Sequence, residues 1–180
     1  FLLTILSASV LCQLLFAERF NIDPIKFEYF AYIGGCFLPL SVFFTGLIMI
    51  NGRMEFKLYY FLFFIAPLLS LIMLWTNNIH HLFFVKYSTN MPEGVSGPFM
   101  MINNIYSYIF LLLGLSFLLK GSITNGGLFS KQTILILVGV SIPIITNLLG
   151  TSKIIPMTIY LTPISFTVTI LFLFFAIFKF

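Results

Sequence analysis

His80 and His81 are the only two histidines among 180 residues, and they lie side by side in the stretch Trp75-Thr-Asn-Asn-Ile-His-His-Leu-Phe-Phe84. Adjacent imidazoles can ligate a metal, exchange a proton or hydrogen-bond the open end of a helix. A closed zinc site takes about four ligands, and the polar loop that follows offers only Glu93 and no cysteine. A bound metal or other cofactor is therefore not expected. Nor does a nucleophile or a cluster of carboxylates accompany the pair, so the chain reads as non-catalytic. Proton exchange by the pair stays open as an alternative, and the leading expectation is structural. Thr76 and Asn77 bond the last carbonyls of the preceding helix, one imidazole caps that helix end, and Leu82, Phe83 and Phe84 fold back over it.

Other polar residues are spaced for one-sided presentation. Glu28, Tyr32, Gly35 and Pro39 fall at i, i+4, i+7 and i+11, which sets a carboxylate, a phenol and a close-packing glycine on one helical face. Asn103 and Tyr106 share a face farther on, and Thr158, Thr162, Ser165 and Thr169 share another. Hydroxyls of this last kind can simply bond their own i−4 carbonyls. A ligand site is expected beneath the histidine stretch, formed by Glu28, Tyr32, Asn103, Tyr106 and Thr162.

The elements that must position these residues follow from composition. The chain is 60% hydrophobic and 8% charged, with 24 Phe and a mean hydropathy of +1.11, against roughly 45–50% apolar and 25% charged in a soluble domain. A hydrocarbon core of about 30 Å takes roughly 20 apolar residues as a helix, and the runs here are apolar on every side rather than alternating as barrel strands do. The expected fold is an all-α integral membrane protein, a polytopic helical bundle in one domain. Its spans are placed at about 1–17, 25–50, 56–74, 99–119, 133–149 and 157–178, with a long outer loop at 76–98. The Asn21-Ile-Asp-Pro24 turn opens the second span, Pro67 kinks the third, and Lys120–Gln132 reads as a flexible turn. Gly139, Pro143, Asn147 and Gly150 lie on one face of the fifth, where the carbonyl of Gly139, freed by Pro143, is a candidate partner for the Asn147 amide.

The net charge of +4 comes from basic residues scattered singly at span ends, so nucleic acid is not an expected partner; the lipid bilayer is. Arg53, Lys57, Lys120, Lys131 and Lys179 fall on one side and Arg19, Lys26, Lys86 and Lys153 on the other. The positive-inside rule then puts the histidine loop outside and the end of the last span in the cytoplasm. Cys12 and Cys36 sit within apolar runs as buried thiols. Both ends of the sequence are apolar, and a piece of a longer protein is expected.

The run Thr76, Asn77, His80, His81 and Phe83, followed by Gly97-Pro98-Phe99 and then Tyr106-Ser107-Tyr108, resembles the seven-helix membrane region at the N-terminus of bacterial sensor histidine kinases. Pro143 with Asn147, and Pro163 near the start of the last span, are similar to the same family's pattern. The resemblance covers nearly the whole chain, which would supply helices two to seven of seven. It implies a multi-pass sensory domain of the bacterial cell membrane that detects an extracytoplasmic or membrane-borne signal, a small ligand, lipid or peptide. It also implies a cytoplasmic kinase or other signalling module in the same protein, fed by the last helix, and a homodimer in full-length form. A fragment of a small-molecule transporter or channel is the alternative class. No charged residue falls in the middle of a span and no internal repeat is evident, which favours a sensor.

Overall fold

The structure is a computed structural model. It describes residues 20, 22–52, 57–89, 93–125, 127–152 and 161–178, with the backbone alone for residues 125, 127–130, 151, 162, 163 and 177. Helix α1 spans Pro24–Asn51. A 3-10 segment, Leu58–Phe64, runs directly into α2, Ile65–Trp75. One further turn, α3 (Asn77–His80), leads into an antiparallel hairpin of β1 (Phe84–Lys86) and β2 (Val95–Ser96). Three long helices complete the chain: α4 (Pro98–Asn125), α5 (Gly127–Thr151) and α6 (Leu161–Phe178). Four helical stretches, Pro24–Asn51, Leu58–Trp75, Pro98–Thr124 and Lys131–Gly150, are long and apolar enough to cross a membrane, joined by a shorter apolar helix at Ile164–Ala176. This is an all-α polytopic bundle. The first expected span, with Cys12, and the first residues of the last, with Thr158, lie outside the described residues.

Local chemistry sets the ends of α1. The Asp23 carboxylate accepts from Ile25 N–H at 3.2 Å and Pro24 occupies the first helical position, where its missing N–H costs nothing. At the other end Gly52 takes φ 73° and donates its N–H to the Ile48 carbonyl at 2.8 Å, a left-handed cap suited to glycine. Pro67 lies just past the point where the 3-10 segment passes into α-helix. It is the third residue of α2, and because it has no N–H it cannot bond the Phe63 carbonyl one turn back. The stretch Lys120–Gln132, expected as a turn, is helical up to Asn125 and again from Gly127, because intrahelical bonds satisfy the backbone as it leaves the hydrocarbon.

Helix α1 packs most extensively against α4, and α5 against α6, while α4 also contacts α5. The α1–α4 seam is closed by glycine. A Cβ on Gly46 would lie 2.7 Å from the Gly114 carbonyl oxygen, and one on Gly114 would lie 2.8 Å from the Phe43 nitrogen. Beside this contact the Phe43 ring meets Phe63, Phe110 and Phe117 with centroids 5.9, 5.2 and 5.7 Å away, distances at which edge-to-face aromatic pairs attract. Gly35, expected as the close-packing glycine, has no described atom within 4 Å of its Cβ position. Its face borders a cavity instead.

Candidate functional site

The histidine stretch is a hydrogen-bonded corner. Thr76 Oγ1 donates to the Ile72 carbonyl at 2.7 Å, as expected of a residue closing the helix before it. Asn77 does something else: its side-chain oxygen accepts from Phe83 N–H at 2.9 Å and Phe84 N–H at 3.0 Å, and its Nδ2 donates to the Phe84 carbonyl at 3.0 Å. It serves the strand that follows rather than the helix that precedes, because α3 inserts one extra turn that carries Asn77 past the open carbonyls. His80 accepts from Leu82 N–H at Nδ1, 2.9 Å, and meets Thr76 Oγ1 through Nε2 at 3.0 Å. An amide N–H can only donate, so Nδ1 is an acceptor and the ring proton sits on Nε2. His81 is solvent-exposed and adopts φ 53°, a left-handed position that histidine tolerates better than most residues. The chain then folds back, and Phe83 is fully buried with its ring 5.5 Å from that of Tyr32.

Gly97 ties the hairpin down. Its N–H donates to the Phe83 carbonyl at 2.8 Å, Phe99 N–H donates to the Leu82 carbonyl at 3.0 Å, and a Cβ at Gly97 would fall on the Leu82 carbonyl. Only glycine allows this approach. Pro98 then starts α4 at a position that needs no N–H partner.

Beneath this corner lies a cavity of about 270 Å³, near the lower end of the roughly 300–1,000 Å³ common for small-molecule sites. Five elements wall it. Helix α1 contributes Glu28, Tyr32, Gly35 and Pro39, and the hairpin Phe84, Lys86 and Tyr87. From α4 come Asn103, Asn104, Ser107 and Tyr108, from α5 Pro143, Thr146 and Asn147, and from α6 Ser165 and Phe166. Glu28, Tyr32 and Asn103, which are far apart in sequence, are thus neighbours in one wall. Asn103 is buried and its side-chain oxygen lies 3.9 Å from the Cys36 thiol. Tyr106 is not among the described lining residues; its ring packs on Phe110 with centroids 4.8 Å apart. The side chains of Thr162 and Pro163 lie outside the described residues.

The hairpin side chains and Thr146 line the cavity without having been marked by the sequence, whereas Ser107 and Tyr108 stand there only as family landmarks and Ser165 only on the polar face of the last span. Ser165 precedes Thr169 by four residues, so the 3.6 period was the available signal for it. For the hairpin there was none, since its place depends on Asn77 and Gly97 folding the loop inward. The Tyr108 hydroxyl is buried with no hydrogen-bond partner among the described residues.

A polar contact joins α5, which contributes to the cavity wall, to the last helix. Pro143 cannot donate to the Gly139 carbonyl, and that carbonyl accepts from Thr169 Oγ1 at 2.8 Å. Thr169 also reaches the Ser165 carbonyl at 2.9 Å, so its single proton is shared between the helices. The crossing is close: a Cβ on Gly139 would lie 2.8 Å from Phe172 Cβ. Thr169→Val should remove the interhelical bond at nearly constant shape and destabilise the bundle by about 0.6–1.7 kcal/mol. A lowered unfolding midpoint in detergent, with helix content retained, is the expected measurement.

These features define a polytopic membrane bundle with a small, partly polar cavity under a folded-back loop. A family model described as the N-terminal 7TM region of histidine kinase matches residues 1–180, and the chain belongs to that family. It is thereby a membrane-embedded sensory input region, not a catalytic one. No curated protein and no solved structure gives a match to the chain.

Proposed function

We propose that this domain detects an extracytoplasmic or membrane-borne signal in the cavity beneath the histidine corner and passes it through α6 to a cytoplasmic histidine kinase or other signalling module. The observation that carries the reading is the make-up of the cavity wall: Ser165 and Phe166 of α6 face the same space as Glu28, Tyr32 and Asn103, one turn from the Thr169–Gly139 contact that clamps α6 to α5. A ligand that binds one arrangement of this wall better than another shifts the bundle toward it, and only such differential affinity can move the equilibrium. A tenfold preference is worth about 1.4 kcal/mol, comparable with the clamp itself.

The same reading sets orientation and assembly. Helix α6 leads away from the cavity toward its C-terminal end, and the basic residues Lys57, Lys120 and Lys131 lie at that end, so the C-terminus is cytoplasmic and the hairpin lies outside the bacterial cell membrane. The full-length protein acts as a homodimer. Of the residues expected to bind ligand, Glu28, Tyr32 and Asn103 are assigned to contact and Tyr106 to supporting the α4 wall.

Gly35→Leu tests the reading. The leucine side chain enters the cavity with no described atom in the way of its Cβ, so the fold should survive while the site is filled. In the full-length protein, output is expected to freeze at one level across growth conditions that move the wild type several-fold. An unaltered response in folded Gly35→Leu protein would sink the proposal.

A further inference from the structure

We infer that the ligand of this cavity carries an organic ammonium group, held by the Glu28 carboxylate among aromatic rings. This deepens the proposed sensory role and rests on it. Glu28 lies in the cavity wall, and no hydrogen bond or ion pair joins its carboxylate to a described residue. Glu28 is half-buried in that wall; a carboxylate partly withdrawn from water without a partner is costly, and a positive group brought to it recovers that cost. Lys86 also lines the cavity but is solvent-exposed on the hairpin, where water solvates its charge and leaves it little to gain from a ligand anion.

The rest of the wall favours a cation over an anion. Tyr32, Phe84, Tyr87, Tyr108 and Phe166 surround the same space, and aromatic faces attract ammonium groups within about 6 Å. The carbonyl of Gly35 has lost its helical donor because Pro39 follows four residues later, which adds an acceptor to the wall. Backbone N–H groups of a helix N-terminus, which receive anions, are not what α1 presents there, since Glu28 is already its fifth residue. The volume of about 270 Å³ admits a single-ring amine.

The test uses full-length protein in lipid nanodiscs with three probes of one shape: 2-phenylethylammonium, 2-phenylethanol and phenylacetate, titrated calorimetrically at neutral pH. The cation is expected to bind at least tenfold more tightly than the alcohol, with phenylacetate weakest. Glu28→Gln should erase the difference between cation and alcohol, and Gly35→Leu should abolish binding of both. Equal binding of cation and alcohol that Gly35→Leu abolishes would overturn the ammonium inference and leave the cavity reading standing. Cation binding that Gly35→Leu does not affect would overturn both, because the probe would then sit elsewhere. Absence of any cation binding overturns the inference alone, since the signal would then have another chemistry.

Discussion

Asn77→Ala should unfold the histidine corner and lower stability by about 3 kcal/mol. The side chain is 4% exposed and makes three hydrogen bonds, to Phe83 N–H, Phe84 N–H and the Phe84 carbonyl. Alanine leaves all three backbone groups without their partner. A buried unsatisfied group costs roughly 1–3 kcal/mol, and Phe83, beside it, is fully buried. Half-buried Phe84 can recover part of its share from water. Asn77→Asp separates the contributions: it keeps an acceptor for the two N–H groups and loses the donor to the Phe84 carbonyl, so its loss should be intermediate. The measurements are the unfolding midpoint in detergent and hydrogen exchange at Phe83 and Phe84. Exchange should rise locally in both variants before the bundle helices are affected. Because Phe84, Lys86 and Tyr87 line the cavity, Asn77→Ala should also silence the response.

Gly114→Val should be at least as damaging, by a different route. A Cβ at Gly114 would lie 2.8 Å from the Phe43 nitrogen and 2.9 Å from the Phe43 Cα and the Val42 carbonyl carbon. These are backbone atoms inside α1, so no side-chain rotation relieves the overlap and the two helices must separate. Separation loosens Phe43 against Phe110 and Phe117 and opens the cluster of Val42, Leu111, Leu118 and Val140. Between membrane helices this packing supplies much of the attraction, since lipid is as apolar as the side chains. Overpacking of this kind costs about 1–3 kcal/mol and occasionally more; the upper end is expected here. Gly121→Ala is the matched control, because its Cβ would meet Met49 atoms at 3.5 Å, ordinary contact distance. It should be close to neutral. Similar unfolding midpoints for the two variants would show that the α1–α4 seam is not set by glycine contact.

The two glycine positions also show where sequence reasoning misled. Gly35 shares a face with Glu28 and Tyr32, as its spacing predicts. What it faces is a cavity, while Gly46 and Gly114 close the seam about two to three turns deeper. Helical periodicity says which residues point the same way, but not whether they meet a backbone or a space. The same limit applies at Gly139, whose carbonyl accepts from Thr169, a partner on a helix that spacing within α5 does not reveal.

By itself the sequence determined that this is a helical membrane bundle of the histidine kinase 7TM family, because hydrocarbon demands long apolar helices and the polar landmarks recur in a recognisable order. It also marked Glu28, Tyr32 and Asn103 as residues to watch. Only the tertiary structure decided that these three share one cavity, that the Tyr106 ring packs on Phe110 instead of lining it, and that Asn77 folds a hairpin over the top. The reason is physical: burial in lipid and helical period are local properties of a segment, whereas a cavity exists only through the register between helices, set here by glycine contacts and a few interhelical hydrogen bonds.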